Sequence, residues 1–179
     1  MRYEDIKRHL QPFSIYRRRK TTINHAFASA IAPCDAYEAE RVKTAIRLLG
    51  QDPDEDLKCV YCDKPSETWD HVFATVKDSV FSGAGHRLGN LVPCCKQCNS
   101  SKGNKRWDVF LRTLHSDPAT LSAKAQTIQV YIDRLFVSDA LPTDSPEYRE
   151  LLEVRQEILN LMNRADTLAQ TIRTKASAA

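Results

Sequence analysis

The sequence contains no apolar run that approaches the roughly 18 residues of a transmembrane helix, which excludes functions inside a membrane. It also shows no signal peptide, no internal repeat and no low-complexity tract. We therefore expect a cytoplasmic protein whose cysteines stay reduced. The net charge of +3 is small, and 179 residues suffice for one domain with appendages around a substantial core.

The six cysteines form the strongest pattern in the sequence. Two residues separate Cys59 from Cys62, and two residues separate Cys95 from Cys98. Because this spacing lets both thiolates of a tight turn reach one tetrahedral zinc ion, we predict a structural Zn²⁺ site at these four residues. A pair of disulfides is the alternative, and a reducing compartment disfavours it. Cys94 is expected to pack inward as a small hydrophobic residue.

A purely structural zinc module needs only the cysteines, yet the same segment holds Asp70, His71, Asn90 and Asn99. Carboxylate and amide oxygens are hard ligands that suit Mg²⁺ or Mn²⁺, whereas zinc prefers the thiolates. A neutral imidazole beside such an ion can take a proton from water near pH 7, as hydrolysis of a phosphodiester requires. The segment therefore indicates a second, catalytic metal site beside the structural one.

The order of these residues resembles the HNH, or ββα-metal, endonuclease family in its zinc-knuckle form. The matching motifs are Cys59-x-x-Cys62, Asp70-His71-Val72, Asn90-Leu91-Val92, Cys95-x-x-Cys98-Asn99 and Lys102-Gly103. The resemblance covers about residues 57 to 107 and implies a β-hairpin followed by a short helix. The third motif position is often His in the family and is Asn99 here, as it is in many other members.

The resemblance also implies a role for each polar residue. His71 would be the general base, Asp70 and Asn99 would hold one catalytic divalent ion, and Asn90 would brace the hairpin loop and orient the base. Lys102 would add positive charge near the scissile phosphate, although a solvated surface lysine is an equally good interpretation. The implied reaction is attack of an activated water on phosphorus, which leaves 5′-phosphate and 3′-hydroxyl ends.

Positive charge is concentrated around these motifs. Residues 58–107 carry eight Lys or Arg against four acids, whereas residues 108–179 carry eight against ten. We therefore expect salt-sensitive phosphate binding at the motif segment, and a basic run near the N-terminus is a second predicted contact, although such runs are often only solvated. The predicted nucleic-acid contacts are Arg17, Arg18, Arg19, Lys20, Lys102, Lys105 and Arg106. His86, in the loop between the hairpin strands, is expected to face DNA or solvent.

Helical patterns flank the motif segment on both sides. Asp35-x-x-Glu38 resembles a capping box and predicts a helix over about residues 36 to 49. Two more helices are predicted over 108–114 and 121–136, and Ser145-Pro146 is typical of a helix start. The last helix, over 146–173, has apolar residues at alternating gaps of three and four, the spacing of a coiled-coil seam. This seam predicts a homodimer, and packing within the chain is an equally good interpretation.

We therefore predict an α+β, mostly helical fold with three parts. These parts are a helical N-terminal arm (1–56), a central zinc-stabilised ββα-metal core (57–107) and a helical C-terminal region (108–179). The predicted function is metal-dependent cleavage of double-stranded DNA, as a restriction or defence enzyme or as a phage or mobile-element nuclease. A zinc-built DNA-binding module without catalysis is one alternative, and a nuclease that cleaves RNA is another.

Overall fold

The computed structural model describes residues 3–177, apart from the side chains of residues 5 and 8. Its contacts divide the chain into two compact units. One unit joins the segment up to Phe27 with the segment from Pro142, and the other is Ala28–Leu141. This division into units does not test the domain boundaries at residues 56 and 107 that the motifs predict, so those boundaries stay predictions. Within the described residues, no helix is both long and apolar enough to cross a membrane.

Helices dominate the described residues, and the strands are confined to one central stretch. In chain order the elements are a 3₁₀ helix (Tyr3–Arg8), α1 (Ile15–Ala30), α2 (Ala39–Leu48), β1 (Thr68–His71), β2 (Val76–Lys77), β3 (Val80–Phe81), β4 (Leu91–Cys94), α3 (Lys96–Lys102), α4 (Trp107–Leu114), α5 (Pro118–Leu135) and α6 (Pro146–Ser177). This arrangement confirms the predicted α+β, mostly helical fold class.

A β-hairpin followed by a short helix lies at the centre of the larger unit. Strands β1 and β4 pair antiparallel, with Asp70 opposite Val92, and β4 leads directly into α3, which packs against β1. The connection between β1 and β4 contains the small β2–β3 hairpin. Its two turn residues, Asp78 and Ser79, both have positive φ, as a two-residue turn of a right-twisted hairpin requires.

Helices α2, α4 and α5 share one hydrophobic core with the hairpin and contribute seven of the sixteen buried residues described for it. The apolar residues of α4 recur three and four positions apart, so Trp107, Phe110 and Leu111 lie on one buried face. The ring of Phe110 meets the buried ring of Tyr61 edge-on, at 5.3 Å between centroids. Tyr61 lies between Cys59 and Cys62, so this packing joins the first cysteine pair to the helical layer.

The start of α2 differs from the capping box that the sequence predicts. Its N-cap residue is Glu38, which makes no side-chain capping hydrogen bond, and the helix begins at Ala39. The Asp35 carboxylate instead accepts hydrogen bonds from Arg87 Nη1 at 2.9 Å and from the Leu88 N–H at 3.0 Å. The capping-box prediction is wrong because a tertiary ion pair, invisible in the local sequence, takes the carboxylate.

The smaller unit contains the 3₁₀ helix, most of α1 and the long helix α6. The Asp166 carboxylate on α6 accepts hydrogen bonds from Ser14 Oγ at 2.7 Å and from the Ile15 N–H at 2.7 Å, and so caps the start of α1. The predicted start of α6 is confirmed, since Ser145 Oγ accepts a hydrogen bond from the Tyr148 N–H at 3.1 Å.

Candidate functional site

The four cysteines of the two predicted pairs lie together. Their sulfur atoms are all within 4.8 Å of one another, and Cys62 Sγ is 3.7 Å from Cys95 Sγ. A tetrahedral ion with Zn–S bonds of about 2.3 Å requires sulfur atoms about 3.8 Å apart, so the cluster fits zinc in donor type and in size. The prediction that these four cysteines lie together, in positions to bind one metal ion, is confirmed.

Backbone hydrogen bonds shape both halves of this cluster. In the first half, the Cys59 N–H donates to the Lys64 carbonyl at 2.7 Å, and the Asp63 N–H donates to the Cys59 carbonyl at 3.0 Å. These bonds close the tight turn that brings Cys59 and Cys62 to one side. In the second half, Cys95 is the N-cap of α3 and its sulfur accepts the Cys98 N–H at 3.4 Å. A helix N-terminus favours the thiolate form that a metal ion binds.

A fifth sulfur atom lies next to the cluster without joining it. The buried Cys94 thiol donates a hydrogen bond to the Cys95 carbonyl at 3.3 Å, and its sulfur accepts one from Cys59 Sγ at 3.8 Å. The contact between these two sulfur atoms lowers the pKa of Cys59 and raises the pKa of Cys94. Burial raises the pKa of Cys62 and of Cys98, so a bound cation would favour the deprotonated form of these two thiols.

Asp70 points into the protein from β1. It is 5% exposed, and its Oδ2 accepts a hydrogen bond from the Tyr61 hydroxyl at 3.0 Å. The same oxygen is 3.1 Å from the Lys102 ammonium. Burial raises the pKa of Asp70, while Lys102 and Tyr61 oppose that shift by stabilising the carboxylate.

Lys102, at the end of α3, is the cation of this buried pair. Its side chain has no exposed surface, and its Nζ also donates to the His71 carbonyl at 2.6 Å. A solvated surface position is therefore the wrong interpretation of this lysine. Its burial also argues against the predicted contact with nucleic acid, because the ammonium faces Asp70 and the backbone of β1. Lys102 ties α3 to the strand that carries Asp70 and His71.

His71, the last residue of β1, is half-buried and contacts a second histidine. His71 Nε2 lies 2.9 Å from His86 Nδ1, within hydrogen-bond distance. Burial, followed by the proximity of His86 and of Lys102, lowers the pKa of His71 to about 4. The imidazole is therefore neutral at pH 7, as a proton acceptor must be. His86 is half-buried, and no motif spacing pointed to its contact with His71; that it faces DNA stays a prediction.

Asn90 is buried beneath the loop that carries His86. Its Oδ1 accepts the Phe73 N–H at 2.8 Å, and its Nδ2 donates to the Gly85 carbonyl at 2.9 Å. The side chain thus connects the segment that follows His71 with the residue that precedes His86. The neighbouring Gly89 has φ of +91°, and a Cβ there would lie 2.3 Å from the Phe136 nitrogen, so only glycine fits.

The remaining predicted residues lie at the surface or near it. Asn99 is half-buried on α3, one turn before Lys102. Lys105 and Arg106 are exposed after α3, where Arg106 forms two hydrogen bonds of 3.0 Å with Asp108. The run of Arg17, Arg18, Arg19 and Lys20 is exposed on α1, in the smaller unit.

Comparison with known proteins places a family match on the hairpin segment. The family model for HNH endonucleases matches residues 59–105, the segment from the first cysteine of the cluster to just beyond α3. Searches of curated proteins and of solved structures returned no match. The matched segment contains all four cysteines together with Asp70, His71, Asn90 and Asn99. Residues 59–105 of this chain are therefore an HNH endonuclease domain with a four-cysteine metal site of the zinc-knuckle type.

Proposed function

We propose that this protein is a metal-dependent endonuclease that hydrolyses phosphodiester bonds of double-stranded DNA, with His71 as the general base. The observation that carries the proposal is the position of His71. It ends a strand that α3 and the cysteine cluster hold in place, and its imidazole is neutral at pH 7. A DNA-binding zinc module would not need a neutral imidazole at this point of an HNH domain.

In the proposed reaction His71 accepts a proton from water as the water oxygen attacks phosphorus. The bond from phosphorus to the 3′ oxygen breaks and the 3′ oxygen takes a proton from solvent, which leaves 5′-phosphate and 3′-hydroxyl ends. Asp70 and Asn99 would hold Mg²⁺ or Mn²⁺, which when bound supplies positive charge to the phosphate oxygens. The carboxylate and amide oxygens of these residues suit such an ion, although the Asp70 carboxylate also forms an ion pair with Lys102. Asn90 connects the segment that follows His71 to the loop that carries His86 through its two side-chain hydrogen bonds.

A basic cleft beside the hairpin supports binding of a polyanion. The cleft has a volume of about 460 Å³, begins next to His71 at Val72 and Phe73, and carries Lys77, Lys105 and Arg106 on its rim. These side chains are exposed, so they can reach and neutralise phosphates, with release of counterions. In the smaller unit, the exposed run from Arg17 to Lys20 is proposed as an additional phosphate contact.

We further propose that α6 joins two copies of the chain. Val154, Leu161 and Leu168 are each more than 40% exposed and recur every seven residues on this helix, and Ile172 follows at a spacing of four. This is the a/d spacing of a coiled coil. Two copies would supply the two active sites that a concerted double-strand cut needs, as in a cytoplasmic restriction or mobile-element nuclease.

The test is cleavage of supercoiled plasmid and of structured RNA with Mg²⁺ or Mn²⁺, for the wild type, His71→Ala and His25→Ala. His25 is an exposed histidine on α1 and is the matched control. We expect plasmid cleavage that falls by ~10²-fold or more in His71→Ala, with DNA binding retained and His25→Ala unaffected. Cleavage of RNA alone would favour the ribonuclease alternative. DNA binding with no cleavage under any metal would favour the non-catalytic zinc module.

A further inference from the structure

His86 is held against the proposed general base by a segment that several hydrogen bonds fix. Its Nδ1 is 2.9 Å from His71 Nε2, and the two ring planes meet at 63° with centroids 5.0 Å apart. At this distance one nitrogen donates a proton and the other accepts it. The contact therefore couples the two tautomers: either His71 Nε2 carries the hydrogen and His86 Nδ1 accepts it, or His86 Nδ1 carries it and His71 Nε2 accepts.

The backbone of His86 is fixed on both sides by the segment before α2. The His86 N–H donates to the Pro33 carbonyl at 2.8 Å, and the Asp35 N–H donates to the His86 carbonyl at 3.2 Å. Gly85 permits this approach, since a Cβ there would lie 2.3 Å from the Pro33 oxygen. A substitution at Gly85 would thus push the His86 loop away from residues 33–35.

The next residue adds an ionic anchor. Arg87 Nε donates to both carboxylate oxygens of Asp139, at 2.9 and 3.0 Å, and Arg87 Nη1 donates to Asp35 at 2.9 Å. Asp35 also accepts the Leu88 N–H. Two carboxylates from distant parts of the larger unit therefore hold the residues that follow His86. These hydrogen bonds and ion pairs fix the position of the His86 backbone relative to His71.

We propose that His86 is a positioning residue for His71. This inference rests on the proposed function, in which His71 is the general base. His71 donates its Nε2–H to His86 Nδ1, which fixes the tautomer and turns the lone pair of His71 Nδ1 towards the attacking water. In the reaction the water proton goes to His71 Nδ1 while the Nε2 proton stays in the contact with His86. No proton leaves the pair during the attack, and the water oxygen forms the new bond to phosphorus.

Three substitutions at His86 test the proposal because the contact uses Nδ1. The amide of asparagine reaches the position of histidine Nδ1, whereas the amide of glutamine reaches the position of Nε2. We expect His86→Ala and His86→Gln to lower kcat by ~10- to 100-fold, with KM for DNA unchanged, and His86→Asn to restore most of the lost kcat. Melting temperatures of the three variants identify any general loss of fold.

A second measurement does not depend on activity. Long-range ¹H–¹⁵N correlation spectra of the intact protein report the tautomer of each histidine. We expect His71 to be protonated at Nε2 in the wild type and in His86→Asn, and to be a mixture of tautomers in His86→Ala. An unchanged His71 tautomer in His86→Ala, or a raised KM with unchanged kcat, overturns the proposal, and the second result would identify His86 as a DNA contact. If His71→Ala cleaves DNA at the wild-type rate, the proposed role of His71 as general base is wrong. If His71→Ala is inactive while His86→Gln keeps the wild-type kcat, only the proposed role of His86 is wrong.

Discussion

Replacing Lys102 by methionine tests the buried ion pair at the centre of the site. Methionine keeps an unbranched side chain that can fill the space of the lysine stem, and it removes the ammonium. The Asp70 side chain, 6% exposed, then keeps the Tyr61 hydroxyl but loses its cation. The His71 carbonyl loses its 2.6 Å donor at the same time.

The expected loss in the free energy of unfolding follows from the Asp70 carboxylate, which the substitution leaves buried without its cation. Removing one partner of a buried ion pair costs about 3–5 kcal/mol, because the other charge stays buried and uncompensated. For a chain of this length, 1 kcal/mol corresponds to about 2–4 °C in Tm, so the Tm should fall by about 6–20 °C. Lys96→Met is the matched control, since Lys96 is an exposed lysine on the same helix. Its effect should stay within about 0.5 kcal/mol.

The destabilisation should also depend on pH. Without Lys102, burial raises the folded-state pKa of Asp70 further above that of the unfolded chain. The folded variant then binds one more proton than the unfolded chain between those two pKa values, so its stability falls as pH rises through them. Urea unfolding at pH 5 and pH 8 should therefore give a larger loss at pH 8. Asp70→Asn in the Lys102→Met background should recover part of the stability, because it removes the unpaired charge.

The result that contradicts this reasoning is a Lys102→Met protein that unfolds like the wild type at pH 8. It would mean that the ammonium is not buried against Asp70. A large loss of stability that is the same at both pH values, with no recovery from Asp70→Asn, would assign the cost to the lost contact with the His71 carbonyl.

Two other predictions concern the metal cluster and the assembly. Cys98→Ser should lose both bound zinc, measured by elemental analysis, and the cooperative melting transition. Cys34→Ser is the control, at an exposed cysteine outside the cluster, and should keep both. A zinc-free Cys98→Ser protein that melts like the wild type would reject the structural role of the metal. The Leu161→Lys, Leu168→Lys double variant should be monomeric by light scattering if α6 forms the dimer, with unchanged circular dichroism because both residues are exposed. Val137→Lys, at another exposed apolar residue, is the control, and a monomeric wild type would remove the dimer proposal.

The sequence alone predicted those elements and sites whose geometry follows directly from the spacing of residues. The two-residue gaps predicted the cysteine cluster, because a tight turn allows few other positions for the two sulfur atoms. Helices α4 and α5 followed from apolar residues recurring on one face, and the start of α6 followed from Ser145 before a proline. In each of these cases the interacting residues are near neighbours in the chain or belong to a motif of fixed spacing.

Contacts between distant segments could not be predicted in this way. Asp35 matched a local helix-capping pattern, yet it pairs with Arg87, 52 residues away. His86 contacts His71 only because residues 33–35 return to the loop and fix its backbone. Lys102 has the position of a surface lysine at a helix end, and its burial follows from the packing of α3 against β1. Which side a side chain faces depended each time on tertiary contacts that leave no local pattern.

The charge balance around Asp70 has a consequence for how a catalytic ion would bind. The buried Asp70 and Lys102 neutralise each other, so a divalent ion at Asp70 would add two uncompensated positive charges to a site with little solvent. The phosphate of the substrate supplies negative charge, and Mg²⁺ commonly combines few protein ligands with substrate phosphates. Under the proposed function, Mg²⁺ and DNA should therefore bind with positive coupling, each raising the affinity for the other by the same factor. Calorimetric titration of His71→Ala with Mg²⁺, with and without a short duplex, measures that factor without cleavage. Equal Mg²⁺ affinity in the two titrations would show that the ion does not share the site of Asp70 with the phosphate.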